Sequence, residues 1–471
     1  MITRAGEIGA RTPAPRVAAP LDPRFRPLTP VRLAIERFAH ASGGLAVHLA
    51  VEQPGGSVLV RDSWAFPAGH PEAPMGAWAA ERLLKAMLWA CGGSRVWVDG
   101  PADLAEAIRR HYDADPAGTF DARMMGEEVY GRPFEVVRAP RAEFPVSRES
   151  TAAIGRHLDG CRIGFDLGAS DRKVAAVIDG RVVYSEEVRW DPAAHADPRW
   201  HFEEIDAALR SAAAHLPRVD AIGGSAAGVY VNGEVRVSSL FRGVPRDAFE
   251  RDVRGIFHAL REAWGGVPFV VANDGEVTAL AGAMLSGVGG MLGIALGSSE
   301  AAGYVTPEGR LTSRLNELAF VPIDASGDAP VDEWSGDRGC GVQYLSQQAV
   351  GRLLPAAGIP ADPAAPLPER LVLLQQLAAS GDDRAASVYE TVGVYLGYAL
   401  LEYRGLYDYQ HVLLLGRVMS GPGGEIIRDR ARQVLRAEAP ELAESVTFHE
   451  VSERAKRHGQ AVAAASLPAL A

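Results

Sequence analysis

The stretch VVANDGEVTALAGAM, residues 270–284, puts Asn273 and Asp274 where an apolar run stops and a small-residue, helix-like run begins. Aspartate is among the best helix N-caps. The end of a buried strand is also where an open α/β sheet displays its chemistry. A carboxylate here can cap the helix, serve as a general base, or do both, and a strand-end position allows Asp274 both roles. Three glycine-containing turns, each after an apolar strand, offer a second kind of chemistry. They are Asp166–Ser170 (DLGAS), Gly297–Ser299 (GSS) and the run from Gly416 through Gly421 to Gly424. Small residues at strand ends let backbone N–H groups reach a phosphate without an intervening Cβ.

Competing motifs fail. No GxxxxGK[ST] occurs, so there is no P-loop. GVGGMLG (287–293) breaks the dinucleotide spacing and precedes a strand where the fingerprint follows one. GGSAAG (223–228) misses the nucleophile-elbow pattern by one position. The cysteines, Cys91, Cys161 and Cys340, are widely separated and form no CxxC pair, which excludes a disulfide scaffold and points to a reducing compartment.

The elements that must position these groups are strand–turn–strand openings followed by helices. RIGFDLGASDRKVAAVIDGRVVYSEEVRW (162–190) turns at Asp179-Gly180, and AIGGSAAGVYVNGEVRVSS (221–239) at Asn232-Gly233, both strong two-residue hairpin signals. MLGIALGSSEAAGYVTPEGRLTSRL (291–315) repeats the first pattern, with a turn at Pro307–Gly309. The pattern predicts a duplicated α/β lobe. GLAVHLAVEQPGGSVLVRDSWAF (44–66) reads as a further hairpin. A helix through 78–90, a strand at 95–100 and a helix at 101–112 follow it, giving a small α/β unit of its own. The Pro-containing stretch 138–151 marks its end. The expected organisation is a disordered or loosely docked tail (1–25), an extra N-terminal α/β domain (26–145), a first lobe (146–290) and a second lobe (291–471).

The length of 471 residues suits several domains. A net charge of −11 argues against nucleic acid as a partner. No apolar run approaches the roughly 20 residues of a membrane span, and the start of the chain lacks the apolar core of a secretory signal. A cytoplasmic protein is the expectation.

DLGASDRKVAAVIDG (166–180) resembles the first phosphate loop of the actin/hexokinase/Hsp70 superfamily, and within it the chain most resembles the ROK group of repressors and sugar kinases. That group runs from an Asp-x-Gly-Gly-Thr-Lys hairpin to an Asn-Asp strand end with an Ala-rich helix. A second glycine-rich phosphate hairpin and a glycine-rich adenosine turn follow, and all four features occur here in that order. The resemblance implies a two-lobed actin-like (ribonuclease H-like) fold, ATP and Mg²⁺ in the cleft, and a sugar or polyol hydroxyl as phosphoryl acceptor. It places Asp274 as the base and Asn273, Glu276 and Glu317 on the substrate. It places Asp166 toward Mg²⁺, through water, and Gly168, Ala169, Ser170 and Lys173 at the phosphates. Gly297, Ser298 and Ser299 form the second loop, with Gly416 and Gly421 at the adenosine. It also tilts the oligomeric state toward a homodimer.

Departures from the pattern carry expectations of their own. Glu300 follows the second loop, where a carboxylate would repel a triphosphate unless it points away or meets the metal. Phe320 stands where the family has its zinc- and sugar-binding histidine, and Cys340 is the one thiol left in the zinc loop, so no zinc is expected. Residues 26–145 lie outside the family pattern and lack a helix-turn-helix, which counts against the repressor branch. Two other functions fit the same fold. One is a catalytically silent sugar or nucleotide sensor. The other is an ATPase driving a partner protein, with the N-terminal unit as its docking module.

Overall fold

The computed structural model of the chain describes residues 14–149, 154–450 and 453–470, with side chains from residue 459 in the last segment. The N-terminal unit carries helix α1 (Leu28–Ala41), strands β1 (Leu45–Glu52) and β2 (Val58–Ala65), helix α2 (Ala73–Cys91), and strands β3 (Arg95–Asp99) and β4 (Glu135–Arg138). Its strands form a four-stranded sheet in the order β2-β1-β3-β4.

The first lobe is a five-stranded sheet in the order β11-β8-β5-β6-β7. It uses β5 (Cys161–Leu167), β6 (Asp171–Ile178), β7 (Arg181–Arg189), β8 (Ala221–Ala226) and β11 (Phe269–Asn273). β5, β6 and β7 pair antiparallel, while β8 and β11 add in parallel on the other side of β5. Asp179 and Gly180 take φ of 47° and 78° at the β6–β7 turn, the left-handed geometry that matches strand twist in a two-residue hairpin. A side hairpin, β9 (Val229–Val231) with β10 (Glu234–Val237), turns at Asn232-Gly233 in the same way. Helix α3 (Ile256–Ala263) precedes β11, and helix α4 (Asp274–Ser286) leaves it without a break.

The second lobe repeats the plan in reduced form, in the order β13-β12-β14-β15. Its strands are β12 (Met291–Leu296), β13 (Glu300–Val305), β14 (His411–Leu415) and β15 (Thr447–His449), backed by helices α5 (Asp383–Arg404) and α6 (Pro422–Glu438). The strand expected beyond Pro307–Gly309 shrinks to the single bridge Val305–Leu311. The last helix, α7 (Glu453–Ala465), crosses back onto the first lobe. Gly164 in β5 and Gly223 in β8 admit it, because a Cβ at either would overlap the backbone of Ala461 or Ala464.

Two expectations about the N-terminal part change. The tail expected over 1–25 lies outside the described residues up to 13, and from residue 14 it is seated. Phe25 is buried among Tyr344, Tyr395 and Tyr398, Tyr398 Oη accepts from the Val17 N–H, and Asp22 holds both Arg352 and Tyr395. Residues 26–145 share a core with the second lobe. Trp89 of α2 stacks on Phe320 at 4.1 Å, and the 89–91 carbonyls accept from the N–H groups of Leu315, Asn316 and Glu317. Burial of large aromatics on both sides of this contact makes it a packed interior.

Candidate active site

The parallel strands β5, β8 and β11 end on the same side of the sheet, so Asp166, Ala226 and Asn273 arrive together. Register sets Asp166 opposite Ser225, whose hydroxyl donates to the Asp166 carboxylate at 2.7 Å. Gln460 Nε2 of α7 reaches the same oxygen at 3.2 Å, and Lys173 Nζ stands 3.6 Å from the other. Burial raises the pKa of Asp166 despite these partners. Lys173, expected at the phosphates, pairs more closely with Asp171, at 2.9 Å. The Asp166–Ser170 turn closes through Gly168 N–H on the Asp171 carbonyl and leaves Ala169 and Ser170 exposed.

At the β11–α4 junction the helix cap is Asn273, not Asp274. Asn273 accepts from the Gly275 N–H at 2.7 Å, and Glu276 returns a carboxylate oxygen to the Asn273 N–H at 3.3 Å, a capping box. The physical reason is backbone geometry. Asn273 has an extended conformation (φ −60°, ψ 145°), whereas Asp274 is already helical and stands at the first position. The Asp274 carboxylate stands beside that cap and also accepts from the Gly275 N–H, at 3.0 Å. Its pKa is pushed up to about 6 by burial first and by the Asp166 carboxylate second. Glu276, expected on the substrate, is turned instead to the cap and to Asn316 Nδ2 at 3.0 Å, and burial pushes its pKa up to about 8. Glu317 faces the same region. Its pKa is pushed up to about 7 by burial and then by the Asp274 charge.

The start of α4 lies in backbone contact with β13, so Asp274 sits where the lobes meet; a Cβ on Gly275 would overlap the Ala302 backbone of β13, and one on Gly303 would overlap the Gly275 backbone of α4. Across that junction the second loop is a tight turn, Gly297 N–H to Ser299 O at 2.9 Å, and Gly297 O accepts from Gln347 N–H. Ser298 and Ser299 are exposed. Gly416 (φ 93°) passes so close to Leu296 that no Cβ fits, which brings the 416–421 turn beside the second loop. Gly421 leads into α6 with a φ of 74°.

Glu300 resolves the charge conflict expected at that loop. It is 97% buried and points inward, accepting from Tyr403 Oη at 2.8 Å. Burial pushes its pKa up to about 8, so it carries a proton at neutral pH and adds no charge to the loop. In the 336–350 loop, Asp337 pairs with Arg82 and Lys85, and burial pushes the Cys340 thiol up to about 12. Among the described residues no group of three metal-ligating side chains occurs. Sequence reasoning missed Ser225, Gln460 and Asn316. Only the Gly-Gly-Ser strand end around Ser225 gave any local signal.

The donor set at Asp166 fits a hydrated divalent cation. Burial raises the pKa of both carboxylates, Asp166 and Asp274, the Asp166 charge raises that of Asp274 further, and one ammonium, Lys173, partly compensates at Asp166. A cation between them and a ligand's phosphates would relieve that repulsion.

No protein-family model matches the sequence, and no curated protein does. Among solved structures, the chain is similar to a ROK hexokinase from Thermus thermophilus. The TM-score is 0.51 and the identity 22%, with 64% of this chain and 97% of that one covered. It is also similar to a ROK family transcriptional regulator described as a homolog of the E. coli MLC protein, with a TM-score of 0.52 and 21% identity over 77% of this chain and 88% of that one. The chain thus has the two-lobed, actin-like fold of the ROK family, with residues ahead of it forming an additional α/β unit.

Proposed function

We propose that the protein is a ROK-type kinase that transfers the γ-phosphoryl group of ATP to a hydroxyl of a sugar or sugar-like polyol. The observation that carries this reading is Asp274: a desolvated carboxylate one residue past the Asn273 cap, electrostatically coupled to Asp166 and Glu317 at the lobe junction. Phosphoryl transfer asks for positioning, charge neutralisation and one carboxylate that orients the nucleophile. Asp274 accepts the proton of the acceptor hydroxyl as its oxygen bonds to the γ-phosphorus, the β–γ bridging bond breaks, and ADP leaves. The exposed 168–170 and 297–299 turns receive the phosphates, and the 416–421 turn receives the adenosine. Asp166, oriented by Ser225 and Gln460, would hold Mg²⁺, which would supply neutralisation of the phosphate charge. Asn273 and Glu317 contact the acceptor.

The test is ADP release from ATP and Mg²⁺ across monosaccharides, acetamido sugars and inositols. Asp274→Asn should lower turnover about 10²–10⁴-fold, the span of a general base. Near wild-type turnover in that variant would remove the assigned role. The Ser298-Ser299-Glu300 loop supports a second reading, a sensor that binds sugar without nucleotide. Calorimetry that detects sugar but no ATP would favour it.

A further inference from the structure

A cavity of about 710 Å³ opens beside the proposed base, bounded by β11 with Asn273, the β9–β10 hairpin, α3, and the end of the N-terminal unit. Apart from Glu276, the ionisable side chains lining it are basic: Arg132 from the N-terminal unit, Arg236 from β10, His258 with Arg261 from α3, and Arg314, which is paired with Glu149. The carboxylate on its wall, Glu276, is committed to the α4 cap and to Asn316. Arg132 and Arg261 are exposed and form no ion pair among the described residues. Arg236 is held by Glu234 at 2.8 Å through Nη2, yet its buried Nε has no hydrogen-bond partner. A Cβ added at Gly131 would come within van der Waals reach of Arg236 Nη1, so the chain segment that carries Arg132 runs close to Arg236. A chain with net charge −11 has here gathered cations from three separate elements around one hollow. Unpaired guanidinium groups at a concave surface are the usual receptors for carboxylate and phosphate.

We propose that the acceptor carries an anionic group, a carboxylate or a phosphate, that lies in this cavity against Arg132, Arg236 and Arg261. This rests on the kinase reading above, because Asn273, the residue before the proposed base, lines the same cavity. The N-terminal unit thereby gains a role: Arg132 makes it part of the acceptor site.

The experiment compares kcat/KM by ADP release for D-glucose, D-glucuronate and D-glucose 6-phosphate in the full chain and in Arg132→Gln, Arg236→Gln and Arg261→Gln. Calorimetric titrations with the two acids and with inorganic phosphate run alongside. The acidic acceptors should exceed glucose at least 10-fold, and the ratio of acidic to neutral should fall about 10-fold or more in each variant. Arg132 and Arg261 are exposed, so their variants test the idea even if Arg236→Gln fails to fold. A neutral acceptor preferred over both acids, with that ratio unchanged in the variants, would overturn the inference and leave the kinase reading intact. Binding of the acids that the variants weaken, with no turnover on any acceptor, would overturn the kinase reading and keep the anion site. Inorganic phosphate bound as tightly as the sugar acids would assign the cavity to a free anion and end its role in acceptor choice.

Discussion

At the residue scale, the acids of the cleft titrate in an order set by burial. Asp274, pushed up to about 6, must be deprotonated to accept a proton, so kcat/KM should fall as pH drops below about 6. Asp166 is the second cause of that shift, so Asp166→Asn should move the acidic limb to lower pH, although burial keeps it above the ordinary aspartate value. An initial-rate pH profile checks both, and a limb that stays put in Asp166→Asn would dissociate the two carboxylates. The same burial affects stability. Glu276, Glu300 and Glu317 are pushed up to about 8, 8 and 7 in the folded chain, so between their ordinary pKa and those values the native state binds more protons than the unfolded one. Stability then falls as pH rises through this window. The urea midpoint of the ligand-free protein should be higher at pH 6 than at pH 8.5, and an equal or rising midpoint would refute the assignment of these acids as protonated.

At the element scale, the β11–α4 junction separates two tasks that one residue type could have done alone. Asn273 caps the helix and also donates from Nδ2 to the Gly228 carbonyl at 2.8 Å, tying α4 to the start of the side hairpin. Asn273→Ala should cost about 1 kcal/mol for the cap, with a further loss for the unpaired Gly228 carbonyl, measurable as a lower urea midpoint. The Asp179-Gly180 and Asn232-Gly233 hairpins, and the strand-to-helix switch at 273–274, were legible because turn chemistry and periodicity are local. Ser225 and Gln460 were not, since they meet Asp166 across 59 and 294 residues and only sheet register and the returning helix bring them there. The division of labour between Asn273 and Asp274 was hidden for a different reason. Both residues make good caps, and a single backbone dihedral decides which one does.

At the scale of the whole molecule, the N-terminal unit and the second lobe share one hydrophobic core, a long-range contact that composition and periodicity along the chain do not show. The buried Lys85 of α2 explains why. Its ammonium lies 2.8 Å from Asp121 within the N-terminal unit and 2.9 Å from Asp337 in the second lobe, while Arg82 holds Asp337 at 2.7 Å and Glu81 at 2.6 Å. These ions are fully or nearly buried, so each charge survives only through its partners. Lys85→Met removes the cation that, among the described residues, Asp121 pairs with and strands its carboxylate beside the Trp89 indole, which donates to it at 2.9 Å. The loss should be about 3–5 kcal/mol, the usual cost of breaking a buried pair on one side. Adding Asp121→Asn removes the stranded charge and should recover part of that loss, so the double variant should be more stable than Lys85→Met alone. Urea unfolding followed by tryptophan fluorescence and by far-ultraviolet circular dichroism reads both effects. Coincident transitions are expected in the wild type, because Trp89 reports on the shared core while most helices of the second lobe report on the other signal. Two separated transitions would show that the N-terminal unit unfolds by itself, and the ionic contact would then be a seam between domains instead of part of a common interior.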